Sequence, residues 1–63
     1  MTAAERKKRI ARMEKWLDDR RAEWLLTGGT MQMLTYQGAL ETMEILGYEC
    51  ARDQADRHHI YAL

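Results

Sequence analysis

The stretch AAERKKRIARMEKWLDDRRAEWLL at residues 3–26, closed by Gly28 and Gly29, decides the fold. It contains no proline and no glycine, and it is rich in Ala, Arg, Lys, Glu, Met and Leu, the best helix formers. Thr2 is a suitable N-cap with Glu5 three residues later, and the two glycines allow the left-handed residue that ends many helices. The sequence therefore predicts one long helix over residues 3–26.

A second helix is predicted over residues 35–46, with Thr35 as its N-cap and Gly47 just after its C-terminus. Residues 30–34 (TMQML) are too apolar for an exposed loop, so we expect a packed turn or the start of this helix. One apolar stripe of the helix contains Tyr36, Ala39, Leu40, Met43 and Leu46. Gly38, Thr42 and Ile45 lie together on the opposite side, and a helix with apolar residues on both sides is normally covered on both.

Residues 48–62 allow two interpretations. In a β-hairpin with a turn at residues 53–55, Arg52 would lie opposite Asp56 and Tyr48 opposite Ile60, which are favourable cross-strand pairs. The turn lacks the Gly or Asn of tight hairpins, and a third helix would place Ala51, Ala55, His58 and Ala62 on one face. We prefer the hairpin.

The predicted fold is therefore α+β and mostly helical, with a helical hairpin (about 3–26 and 35–46) followed by a β-hairpin (about 48–62). An all-α three-helix arrangement is the alternative. The 63 residues, of which 46% are hydrophobic and 32% charged, form a single small domain, 1–63. So short a chain has a small core, and its one cysteine, Cys50, allows no intrachain disulfide. We expect self-association, a partner or a metal to add stability.

The chain has no apolar run near the ~18 residues of a membrane span and no secretory signal at its N-terminus. A single cysteine fits a reducing compartment, so we expect a cytoplasmic protein with no membrane contact. Net charge is zero, with 10 basic and 10 acidic residues. The charge is uneven: residues 1–27 hold 8 basic and 5 acidic residues (+3), and residues 28–63 hold 2 and 5 (−3).

The first helix carries the candidate partner-binding surface. Its basic residues can neutralise phosphates, although scattered acidic residues also suit a solvated helix. Trp16, Arg20 and Trp24 are spaced i, i+4, i+8, so Arg20 could lie between two indoles and form a stacking platform. In the alternative interpretation both indoles pack in a core or an interface. The predicted partner-binding residues are Arg6, Arg9, Arg12, Trp16, Arg20 and Trp24.

Two faces are candidates for self-association. The first is a narrow apolar stripe on the first helix that resembles a coiled-coil seam. The second is the outward side of the second helix. The predicted oligomer-interface residues are Ile10, Met13, Leu17, Gly38, Thr42 and Ile45.

Cys50, His58 and His59 raise the question of a metal or a nucleophile. Zinc usually takes four ligands, and the predicted register supplies only Cys50 opposite His58. A Cys–His nucleophile would lack a third, orienting group. We therefore predict no metal, no cofactor and no catalytic residue.

The motifs GAL at residues 38–40, LGYE at 46–49 and RHHI at 57–60 resemble small proteins encoded by phages and prophages of Gram-positive bacteria. In those proteins a helix of this form is followed by a short hairpin, and the resemblance covers the C-terminal half of the chain. The turn DQAD at residues 53–56 departs from the Asn-Gly or Asp-Gly expected there. The resemblance implies an accessory protein in the host cytoplasm that binds and blocks a host factor, such as a component of a defence system.

We expect a non-catalytic, self-associating interaction protein that binds a protein partner stoichiometrically. One alternative is a nucleic-acid-binding module that uses the basic first helix. Another is an oligomeric sponge that traps a nucleotide between Trp and Arg side chains of neighbouring subunits.

Overall fold

Two helices followed by a β-hairpin make up the chain, as the sequence predicts. The computed structural model describes residues 1–62, with α1 at Ala3–Thr27, α2 at Thr30–Ile45, β1 at Tyr48–Arg52 and β2 at His58–Ala62. The helices lie against each other, α2 also packs on β1, and α1 packs on β2. The α+β prediction is confirmed, and the all-α alternative is wrong. Neither helix in this part of the chain is long and apolar enough to cross a membrane.

The capping residues of α1 are those that the sequence predicts. The Thr2 hydroxyl accepts a hydrogen bond from the Glu5 amide at 3.1 Å. At the other end Gly28 has φ 66°, and its N–H donates to the carbonyl of Trp24. A side chain is strained at this backbone angle, which accounts for the glycine.

Helix α2 begins at Thr30, so residues 30–34 are its first turn, and the predicted N-cap at Thr35 is wrong. Gly29 is the N-cap, without a side-chain hydrogen bond, and Thr35 lies inside the helix with its hydroxyl donating to the carbonyl of Met31. Two glycines suffice to reverse the chain, so the apolar residues that follow them join the helix. Gly47, at φ 95°, follows the helix as predicted.

The hairpin register differs from the predicted one by two residues. Cys50 lies opposite Ile60, and Arg52 lies opposite His58 instead of Asp56. The connection is the five-residue loop 53–57, because the Asp53 carboxylate accepts hydrogen bonds from the amides of residues 55 and 57. A shift of two residues leaves each side chain on its predicted face of the hairpin, since side chains alternate.

The core takes one buried hydrophobic residue from each of three elements: Leu17 from α1, Tyr36 from α2 and Ile60 from β2. The prediction of Leu17 at an oligomer interface is corrected, because its own chain covers it completely (0% exposed). Both α2 and β2 pack on this side of α1. Half-buried apolar residues surround the core: Ile10, Met13, Trp24, Ala39, Leu40, Met43, Tyr48 and Cys50.

Replacing Leu17 with alanine is expected to lower the free energy of unfolding by about 2–5 kcal/mol, because it leaves a cavity in a very small core. Leu26→Ala is the matched control on the same helix: this side chain is 87% exposed, and its loss should change stability by less than about 0.5 kcal/mol. Urea unfolding followed by circular dichroism measures both. Equal losses would contradict the assigned core.

Candidate functional site

The carboxylates of α1 hold the edge of β2. The backbone N–H of His58 donates to Asp18 at 2.7 Å, and that of Ile60 donates to Glu14 at 2.9 Å. Residues i and i+4 of a helix lie about 6 Å apart along its axis, and residues i and i+2 of a strand are about 6.6 Å apart. The two spacings match. Two acidic residues one turn apart on α1 therefore accept hydrogen bonds from alternate N–H groups along the edge of β2.

Asp18, His58 and Tyr36 form a continuous chain of hydrogen bonds. The ring Nδ1 of His58 lies 2.7 Å from the Asp18 carboxylate, and its Nε2 lies 2.6 Å from the Tyr36 hydroxyl. An ionised carboxylate can only accept, so Nδ1 carries the hydrogen. In the neutral ring Nε2 then accepts from the phenol. The chain joins β2 to both helices.

The pKa of Asp18 lies below its ordinary value. Burial raises this pKa, but the hydrogen bonds from the ring and the backbone of His58 lower it by more, and the charges of His58 and Arg57 lower it further. A carboxyl group with a lowered pKa stabilises the fold above its unfolded-state pKa, and this contribution is lost as the pH falls through the folded-state value. Asp18 therefore holds β2 as a carboxylate at neutral pH.

A carboxylate, an imidazole and a hydroxyl in series are also the components of a general-base relay. Here Tyr36 and His58 are each only 3% exposed. The phenolic oxygen at the end of the series is therefore enclosed by the chain and has no opening to a substrate. The arrangement fastens the β-hairpin to the helices.

Replacing Tyr36 with phenylalanine should lower the free energy of unfolding by about 1–3 kcal/mol, because it leaves the buried Nε2 of His58 without a donor. Tyr61→Phe removes the same hydroxyl from a side chain that is 54% exposed, and it should have almost no effect. Thermal and urea unfolding of the two variants provide the comparison. A Tyr36→Phe chain as stable as Tyr61→Phe would contradict the buried hydrogen bond.

A second histidine–carboxylate pair joins strand β2 to the hairpin loop. The ring Nε2 of His59 lies 2.7 Å from the Asp53 carboxylate. This hydrogen bond raises the pKa of His59 above 6.5 and lowers that of Asp53 below 3.8. The His59–Asp53 pair therefore makes its full contribution to stability between about pH 3.8 and pH 6.5. This contribution is lost as the pH rises through the folded-state pKa of His59 or falls through that of Asp53.

We expect wild type to exceed His59→Gln in Tm at about pH 5.5. This advantage should be smaller at about pH 8.5, because the charged pair is lost as the pH rises through the folded-state pKa of His59. Both chains keep His58, so the difference between them isolates His59. Thermal melts at the two pH values give the answer, and a pH-independent difference would contradict the charged pair.

Cys50 and His58 are not neighbours across the hairpin, so the two-ligand geometry considered from sequence does not form. Burial raises the pKa of the Cys50 thiol, and the charges of Glu14 and Glu44 raise it further. These effects disfavour a thiolate. Within residues 1–62 no group of three or more His, Cys, Asp or Glu side chains is placed to hold a metal ion.

On the opposite side from this network, α1 and α2 form an open groove of about 590 Å³, here called the α1–α2 groove. Its lining residues are Arg9, Arg12, Met13, Trp16, Gly38, Ala39, Thr42, Met43 and Leu46. Three of them come from the predicted partner-binding set (Arg9, Arg12 and Trp16) and three from the predicted interface set (Met13, Gly38 and Thr42). Half of each predicted set therefore lines the same groove, although the sequence suggested two separate surfaces.

The remaining predicted residues of α1 have different surroundings. Arg6 and Ile10 line an adjoining groove towards the N-terminus of α1. The guanidinium of Arg20 lies 5.6 Å from the Trp16 ring centre, while Trp24 stacks on Tyr36 at 5.9 Å. Arg21, not Arg20, lies over Trp24. Of the two interpretations of this spacing, the platform with Arg20 between two indoles does not form, because Trp24 packs against the core.

The side of α2 opposite the core is also apolar, and nothing in residues 1–62 covers it. Met31, Leu34 and Ile45 are 74%, 55% and 78% exposed, and Gly38 and Thr42 lie between them. We call these five residues the outer face of α2. The sequence prediction included Gly38, Thr42 and Ile45 but not Met31 and Leu34, because residues 30–34 could be either a packed turn or the start of the helix.

The basic residues near the start of α1 are exposed, and none forms an ion pair with another described residue of 1–62: Arg6, Lys7, Lys8, Arg9 and Arg12. Lys15 is different, because it pairs with Asp19. Positive charge therefore remains available along one end of α1. Arg9 and Arg12 carry it to the rim of the α1–α2 groove.

Comparisons of the chain with protein-family models, with curated proteins and with solved structures gave no match.

Proposed function

We propose that this chain is a non-catalytic, self-associating binding protein that engages a protein partner stoichiometrically through the α1–α2 groove. The observation that carries the proposal is the composition of the groove. Met13, Ala39 and Met43 give it an apolar floor, and Arg9 and Arg12 lie at its rim. Apolar grooves with a few polar groups around them are typical binding sites.

The groove favours a helical segment with one apolar face and acidic residues beside it. Such a helix would bury its apolar face against the methionines, whose flexible side chains adapt to a partner. Its carboxylates would pair with Arg9 and Arg12, and arginine is well suited to bidentate pairing with carboxylates. Trp16, 37% exposed at the same groove, would supply the aromatic anchor common in protein interfaces.

The resemblance to phage and prophage proteins suggests where the partner is found. The imidazole and hydroxyl of the Asp18, His58 and Tyr36 series are enclosed by the chain, whereas the α1–α2 groove is open to a partner. We therefore propose a host protein as the partner and inhibition by occupancy as the mode of action, in the cytoplasm of the host cell.

The proposal predicts that the charge-reversed variant Arg9→Glu/Arg12→Glu loses the partner. The tagged chain is used to capture proteins from a Gram-positive host extract, with mass spectrometry to identify and count them. The matched control is Lys7→Glu/Lys8→Glu. It reverses two exposed charges in the same part of α1 but changes no residue that lines the groove. The control should retain the partner in the same ratio as wild type.

Trp16→Ala, with the exposed Tyr61→Ala as its control, extends the test to the aromatic anchor. A protein captured equally by wild type and both groove variants would show that the groove is not its binding site. That result would overturn the proposal.

Nucleic acid is the second candidate partner, and the exposed, unpaired basic residues of α1 favour it. Counterion release makes such binding depend on the total number of phosphate contacts and on salt. Lys7→Glu/Lys8→Glu and Arg9→Glu/Arg12→Glu should then weaken it about equally, with a steep loss between low and physiological salt. Binding of RNA or DNA that both variants weaken equally, and that salt weakens steeply, would favour nucleic acid over a protein partner.

A further inference from the structure

We infer that the outer face of α2 is the contact surface for a second copy of this chain, and that the two α2 helices pair antiparallel across a two-fold axis at Gly38. The inference rests on the self-association in the proposed function and gives it a defined interface. Gly38 and Thr42 also line the α1–α2 groove, so the outer face of α2 and the groove share an edge.

The exposed apolar side chains of α2 point away from its core-facing side. Tyr36, the buried residue of α2, lies on the side that meets α1 and the β-hairpin. At 100° per residue, Leu34 and Ile45 lie about 160–180° from Tyr36 around the helix. Large apolar side chains therefore project away from the core, where burial by a second chain would remove them from water.

The residues of the outer face are spaced symmetrically about Gly38 along the helix. The outer face consists of Met31, Leu34, Gly38, Thr42 and Ile45, separated by 3, 4, 4 and 3 residues. This spacing reads the same in both directions from Gly38. In an antiparallel pair centred there, Leu34 of one chain meets Thr42 of its partner, and Met31 meets Ile45. A two-fold interface requires this kind of self-complementary surface.

A glycine lies at the centre of the outer face. Gly38 lies inside a helix, where glycine is unfavourable relative to alanine. Nothing in its own chain requires it, because a Cβ built at this position has no neighbour within 4 Å. The distance between packed helices depends on the side chains at their contact. A glycine at the crossing point lets two helix backbones approach closely.

The charges of α2 favour an antiparallel pair over a parallel one. Glu41 and Glu44 are the only charged residues of α2, and both lie in its C-terminal half. A parallel pair would place the Glu41 side chains of two copies next to each other, which is unfavourable. In the antiparallel pair Glu41 lies beside Thr35 of the partner, and the carboxylates of the two copies are at opposite ends.

The test combines a substitution at the centre with cross-linking on either side of it. Gly38→Gln should raise the dimer dissociation constant by about tenfold or more, as measured by sedimentation equilibrium. The folded monomer should be unimpaired, because the new side chain enters open space and glutamine favours helix. Ala11→Gln, at an exposed position of α1, is the matched control and should leave the dimer intact.

For cross-linking, Cys50→Ser chains carry either Leu34→Cys or Thr42→Cys. A mixture of the two should form a disulfide-linked heterodimer on oxidation, whereas each variant alone should not. Equivalent residues of two antiparallel copies would lie about 12 Å apart along the axis, beyond disulfide reach. A mixture of Ala11→Cys and Thr42→Cys chains controls for random collisions.

Two results would overturn the inference while leaving self-association in place. One is cross-linking of either single variant with itself, which indicates a parallel pair. The other is a wild-type dimer that Gly38→Gln does not weaken. A wild-type chain that sediments as a monomer would overturn both the inference and the self-association, and partner capture by the groove would remain a separate result.

Discussion

The position of the β-hairpin depends on the carboxylate of Asp18. It accepts one hydrogen bond from the backbone of His58 and another from its ring. The ring then contacts the Tyr36 hydroxyl, so a single acidic side chain of α1 fixes β2 and, through it, α2. Charge-assisted hydrogen bonds in a partly buried setting are among the stronger polar contacts in proteins. Glu14, one turn earlier, holds the next N–H of the same strand edge.

This arrangement uses one side of the helical hairpin and leaves the other side apolar. Only three hydrophobic residues in the described chain are buried, while Met31, Leu34, Ile45 and Leu46 are among the exposed ones. A chain of this size buries too little surface for a large margin of stability. The α1–α2 groove and the outer face of α2 are therefore the natural places for added contacts, and they suit two different occupants: an acidic amphipathic segment and a second copy.

Sequence reasoning succeeded where the determinants are local. Thr2, Gly28 and Gly47 act at single helix ends, so the helices and their boundaries follow from residue type, apart from the start of α2. The hairpin was predicted, but its register was not. The register depends on the Asp53 carboxylate, which closes a five-residue loop through hydrogen bonds that no turn dipeptide reveals.

The site was harder to predict because its members are distant in sequence. Asp18 and His58 are separated by 40 residues, and in the sequence Asp18 is one of the scattered acidic residues of the first helix. The sequence does contain one indication of this contact. Glu14 and Asp18 are spaced i, i+4 and lie beside the apolar stripe of the first helix. Likewise, the groove joins residues of α1 and α2 that sequence reasoning assigned to separate surfaces, because helix pairing is a tertiary property.

Amide hydrogen exchange in wild type and Asp18→Ala tests the central claim most directly, since exchange reports the stability of each segment separately. The account predicts that the His58 amide and the β1–β2 amides of the variant lose protection first, and by more than the amides of α1 and α2. Unchanged protection of His58 and its strand would contradict it, because another contact would then hold the hairpin on the helices.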